Sequence, residues 1–94
     1  MSLVLPGPHG SIAVPDSVLV QIATRAAETV DGVRARRKRS VDVETRVVRL
    51  ELAAERGGDA LTALGERVQD AVHAAFATAC GLDVTVDVAF EELA

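Results

Sequence analysis

Arg34, Arg36, Arg37, Lys38 and Arg39 fall within six residues and hold half of the ten basic side chains in a 94-residue chain with 14 acids. A cluster of this kind attracts polyanions: nucleic acid, an anionic lipid surface or an acidic protein. The rest of the chain carries five Arg against those acids, so a net charge of −4 divides into a basic loop on an acidic body. The simpler role for such a loop is to stay solvated and balance the body. Nucleic-acid binding through residues 34–39 is the alternative function, but two Phe and no Trp or Tyr leave no base-stacking platform.

Other reactive side chains offer less. Asp42, Glu44, Glu51, Glu55, Asp83, Asp87 and Glu91 occupy alternating positions that face one way on strands. Carboxylates ligate cations or act as acid–base pairs, but catalysis needs a partly buried pocket to shift their pKa values. A solvated, acidic sheet face is the expectation. His9 and His73 lack HxxxH or HExxH spacing, and Cys80 is alone, which leaves no internal disulfide and no cysteine zinc site. The chain has no GxGxxG, P-loop or GxSxG motif. No catalytic residue, cofactor or metal is expected, and the chain reads as a non-enzyme.

The elements that must position the basic run follow from periodicity. Residues 1–9, with Pro6, Gly7 and Pro8, show none and read as a flexible leader to a single domain over 10–94. Gly10–Val14 reads as a short strand. Asp16 then caps a helix whose apolar stripe is Val18, Leu19, Ile22, Ala23, Ala26 and Val30, stopped by Gly32. Val41, Val43 and Thr45 alternate with acids, and the apolar parity shifts at Val48, Leu50, Leu52 and Ala54. A hairpin turn or bulge around Glu44 to Arg46 accounts for the shift. Arg56-Gly57-Gly58 breaks the chain, and Asp59 caps a second helix with the stripe Leu61, Leu64, Val68, Val72, Ala75, Phe76 and Ala79. Gly81 ends it, and Leu82, Val84, Val86, Val88 and Phe90 alternate as the last strand. The order β-α-β-β-α-β predicts an α+β two-layer sandwich with two helices on one face of a small sheet; a ferredoxin-like arrangement obeys this order.

The apolar fraction is 49%, but it is built from Ala and Val. A domain this short buries only roughly 60–65% of its unfolded surface, and small side chains gain little from it. Self-association is therefore expected to add stability. Ala63, Ala74 and Ala77 on the outer side of the second helix would permit close approach. The longest strongly apolar stretch, Ala71 to Cys80, contains His73 and Thr78 and falls short of the about 20 residues that a spanning helix needs. With no basic region ahead of an apolar core at the N-terminus, a soluble, cytosolic domain is expected.

The ordered pieces resemble one family. Gly10-Ser-Ile-Ala-Val-Pro-Asp, a helix with Ile22-Ala23 and Ala26, and Val30-Asp31-Gly32-Val33 come first. Paired strands ending at Gly57, Val68-Gln69-Asp70-Ala71-Val72 and Gly81-Leu82-Asp83-Val84 follow. Together, from about Gly10 to Leu93, they resemble the alkaline shock proteins of the Gram-positive envelope stress response. The sequence departs from that pattern near Thr45, where the usual Gly is missing, and at Arg34 to Arg39, where a Gly-rich loop is usual. The resemblance implies a small α+β scaffold without catalysis, cytoplasmic, and held at the inner face of the membrane by a membrane-anchored partner. The basic run would supply the partner or anionic-surface contact.

Overall fold

A computed structural model describes residues 2–54 and 60–91. The proposed break at Arg56-Gly57-Gly58, the cap Asp59 and the outward placement of Glu55 lie outside the described residues. Seven elements follow in the order β-β-α-β-β-α-β: β1 (Ser2–Gly7), β2 (Gly10–Pro15), α1 (Asp16–Glu28), β3 (Val33–Asp42), β4 (Val47–Ala54), α2 (Leu61–Cys80) and β5 (Thr85–Phe90). The chain is α+β, with helices packed against a three-stranded sheet of order β3-β4-β5.

The segment expected to be a leader is a strand. β1 pairs antiparallel with β2 from Ser2↔Pro15 to Gly7↔Gly10, with Pro8 and His9 at the turn. Leu3 and Leu5 stand opposite Val14 and Ile12, a cross-strand apolar match that a search for period alone overlooks. Pro6 is tolerated because only one side of a strand in a two-stranded ribbon is paired. β2 therefore does not join the main sheet, so the ferredoxin-like arrangement that the element order allows is not formed. Leu3 and Val14 pack against the core, while Val4 and Ile12 remain 62% and 53% exposed.

Pro15 occupies the N-cap of α1, so Asp16, expected as the cap, lies in the first turn. There its charge still favours the positive helix end. Leu19, Ala23, Ala26 and Ala27 are buried, and Val18, counted in the stripe, is exposed. The helix ends at Thr29, whose hydroxyl donates to the Ala26 carbonyl at 2.6 Å; Gly32, expected as the stop, lies beyond it in the turn to β3 with φ 83°. α2 places Leu64, Val68, Val72 and Phe76 in the core, and Leu61 is exposed. Gly81 ends this helix as expected. Its φ of 67° lets the Leu82 N–H reach the Phe76 carbonyl and its own N–H reach Ala77.

β4 is central. It pairs antiparallel with β3 and parallel with β5, and α2 supplies the crossover that parallel strands require. Val48, Leu50, Leu52 and Ala54 point to the helices, as the parity shift predicts. The turn between β3 and β4 spans residues 43–46. The Asp42 carboxylate accepts from the Glu44 and Thr45 N–H groups at 3.0 and 3.2 Å. Arg46 adopts φ 57°, the left-handed conformation for which Gly is suited.

Two stability predictions follow from this packing. Phe76 is fully buried among Val68, Val72, Leu50, Val84 and Val86, so Phe76→Ala should cost ~3–5 kcal/mol in chemical denaturation. A change within ~0.5 kcal/mol, the size of a surface effect, would contradict the helix register. Arg46→Gly should stabilise by up to about 1 kcal/mol, because it relieves the left-handed penalty at some entropic cost. A lower unfolding midpoint would contradict that backbone assignment.

Candidate functional site

The basic run is not a loop. Arg34, Arg36, Arg37, Lys38 and Arg39 belong to β3, an edge strand of the main sheet, and all five are exposed. Val33, Ala35 and Val41 give the segment enough inward apolar alternation to hold against β4. Pairing is interrupted in the middle. Ala35 stands opposite Leu52 and Arg39 opposite Leu50, so three β3 residues, 36–38, face the single residue Glu51. This bulge absorbs part of the charge density and breaks the edge where cations would otherwise crowd.

The bulge also brings the two charge populations together. Glu51, Asp87 and Glu91 lie on the sheet face away from the helices, as expected, but the face is of mixed charge and not acidic. Arg36 Nε lies 2.6 Å from Glu91 Oε2, and Arg49 Nε lies 3.8 Å from Asp87 Oδ2. Both pairs lie at the solvent-exposed surface, where water screens them, so they serve chiefly to orient the side chains. Arg39 points the other way, because its partner Leu50 faces the helices; its Nη1 donates to Thr24 Oγ1 of α1 at 3.2 Å. Glu28 of α1 accepts from the Ala35 N–H at 3.3 Å. Arg36 and Arg39 are thus committed to holding β3, while Arg34, Arg37 and Lys38 project from the edge strand. A shallow depression of about 560 Å³ runs beside them between Arg37, Lys38, Arg49, Glu51 and Asp87.

Glu51 and Glu91 meet across the face. Their mutual hydrogen bond raises the pKa of Glu51, with desolvation and the Glu91 charge acting in the same direction. The same bond lowers the pKa of Glu91, assisted by the Arg36 charge and hydrogen bond. Glu51 is therefore the weaker acid of the two. Asp42 is lowered by the N–H groups of Thr45 and Glu44, which fixes it to the turn.

The remaining candidates lie elsewhere. His9 is at the β1–β2 turn. His73 is exposed on α2, with Nε2 2.7 Å from Asp83 Oδ1. Cys80 packs at the edge of the core, where burial pushes its thiol pKa up, opposite to the shift that activates a nucleophile. Ala74 helps to line a groove of about 600 Å³ between α1 and α2 with Ile22, Ala26, Ala71 and Ala75. Among the described residues no group of three or more His, Cys, Asp or Glu side chains is placed to hold a metal ion.

Sequence reasoning identified the five cations and the acids but separated them. The signal that joins them is the odd-numbered apolar set Val33, Ala35 and Val41, which keeps one parity across the basic run because the bulge adds two residues.

The carboxyl pair gives a prediction with a definite sign. Glu51 has a raised pKa in the folded chain, so folding is favoured while it holds its proton. That stabilisation is lost as the pH rises through the folded value. Glu51→Gln keeps a hydrogen-bond donor and removes the charge, and should raise the denaturation midpoint at pH 7. The advantage should shrink as the pH falls through the carboxylate range. An unchanged or lower midpoint at pH 7 would contradict the interaction of Glu51 with Glu91.

No family model matches the chain, and no curated protein or solved structure matches it either, so a role has to be argued from this face.

Proposed function

We propose that the chain is a non-catalytic interaction protein of the alkaline shock type. It would act as a scaffold in the envelope stress response, on the cytoplasmic side of the membrane, recruited by a membrane-anchored partner. The observation that carries this reading is the exposed cationic edge strand β3 beside a sheet face of exposed, paired charges. An edge strand offers unpaired backbone groups to another chain, and Arg34, Arg37 and Lys38 favour an acidic one. The resemblance of the ordered sequence pieces supports the same role.

Magnitudes favour a protein partner over lipid alone. Each basic side chain near an anionic leaflet contributes about 1 kcal/mol, so three projecting cations supply roughly 3 kcal/mol, a weak hold. Carboxylates on the adjacent face reduce it further. No helix of the described residues is long and apolar enough to cross a membrane. Self-association of the small Ala- and Val-rich domain completes the proposal, because a scaffold gains hold by multiplying weak contacts.

The test replaces Arg34, Arg37 and Lys38 by Ser and leaves Arg36 and Arg39 to hold the fold. Membrane fractionation of cells and DNA and RNA retardation are compared for parent and variant. The parent should sediment with the envelope, and the variant should be released, with partner affinity lower by up to about two orders of magnitude if each charge contributes ~1 kcal/mol. Sub-micromolar, sequence-selective nucleic-acid binding by the parent at physiological salt would instead establish the nucleic-acid reading. Unchanged fractionation with an intact fold would leave the cations as a solvated edge.

A further inference from the structure

The three-stranded sheet has two edges of opposite character. β3 is broken by a bulge and covered by five cations, which opposes strand addition by another apolar edge. β5 has neither a bulge nor a basic side chain, and the Gln69 side chain of α2 reaches its free edge. The N–H groups of Thr85 in β5 and of Glu91 just after it donate to the carbonyls of Arg46, just before β4, and of Leu52 in β4 at 2.9 and 2.8 Å. By strand alternation the N–H and C=O groups of Val86, Val88 and Phe90 point away from β4. The Gln69 side chain confirms that direction by donating to the Val86 carbonyl at 3.0 Å from outside the sheet. Beside this edge runs a groove of about 380 Å³, lined by Leu61, Thr62, Gly65, Glu66, Gln69, Val88 and Phe90. Leu61 is 46% exposed there.

Charge selects the occupant and its register. When two β5 strands pair antiparallel, outward-pointing residues must meet outward-pointing residues. The registers that overlap most of the strand put the two-fold axis at residue 87, 88 or 89. An axis at residue 87 opposes Asp87 to the partner's Asp87, and an axis at residue 89 opposes it to the partner's Glu91. Like charges directly opposite are destabilising. Only the axis at Val88 avoids this. It sets Asp87 against the partner's Ala89, Thr85 against the partner's Glu91, and Val86 against the partner's Phe90. The apolar side chains of both copies then close over the two grooves and cover Leu61.

We propose that the β5 edge is a homodimer interface, in which two copies of this chain pair β5 with β5 about Val88 and form one six-stranded sheet. The proposal deepens the self-association in the function above. It leaves both β3 edges, with their cations, at the outer rims of the dimer for another partner.

The purified 94-residue chain, without membrane or partner, is the material for the test, so failure here is distinguishable from failure of the envelope reading. Sedimentation velocity across the micromolar range is run on the parent, Ala89→Asp and Ala89→Lys. Ala89 is exposed on the open face. Aspartate there meets the partner's Asp87 in both symmetric pairs, whereas lysine there is attracted to it. The parent should dimerise, and the dissociation constants of the two variants should differ by at least about tenfold, aspartate being the weaker. Because Ala89 also neighbours Glu51 of β4, hydrogen exchange of the parent supplies a check free of mutation. The Val88 and Phe90 amides should become protected as concentration rises. A parent that stays monomeric, equal association of the two variants, or exchange at Val88 independent of concentration would overturn the proposal.

Discussion

The alternation of β4 is the constraint on which the rest of the fold depends. Val48, Leu50, Leu52 and Ala54 face the helices and join Leu64, Val68, Val72 and Phe76 of α2 in one buried core. A slip of one residue would present Arg49 and Glu51 to the core. With β4 fixed, its neighbours have little freedom. β5 must set Val86 level with Val48 and Val88 level with Leu50, and β3 must bring Val41 to Val48 and Ala35 to Leu52. Four β3 steps from Ala35 to Arg39 against two β4 steps cannot be reconciled without a bulge. The bulge therefore follows from the core, and the arrangement of cations follows from the bulge.

Charge placement is a consequence of the same pleat. Outward positions of β4 and β5 are Arg49, Glu51, Asp87 and Glu91, so both signs of charge stand on one face before β3 adds its own. Arg36 then reaches Glu91 at the far side of the sheet, and Arg39, on the opposite face, reaches α1. Two of the five basic side chains thus act as ties within the domain. The three that project from the edge are the ones with something to offer a partner.

Much of this was legible in the sequence, and the failures share a cause. Both helices, the parity shift at Val48, the turn at 43–46 and the buried set of α2 follow from local period, which is what local backbone geometry enforces. β1 was missed because Leu3 and Leu5 gain their apolar partners from Val14 and Ile12 across a turn, not from their own neighbours. β3 is concealed in the sequence because five charges interrupt the apolar set Val33, Ala35 and Val41. The open β5 edge had no sequence signature at all. Which side of a strand is unpaired is a property of topology, and the parallel β4–β5 pairing is settled only by the path of α2.

The central claim is that the cations lie on a bulged edge strand held to β4 on both sides of residues 36–38. Backbone NMR measures this directly. Cross-strand nuclear Overhauser contacts should link Arg34 with Ala53 and Ser40 with Arg49 in the same sample, a combination that only a two-residue register shift permits. Random-coil shifts from Arg34 to Arg39 with no contact to β4 would mean a solvated basic loop, and would contradict the account.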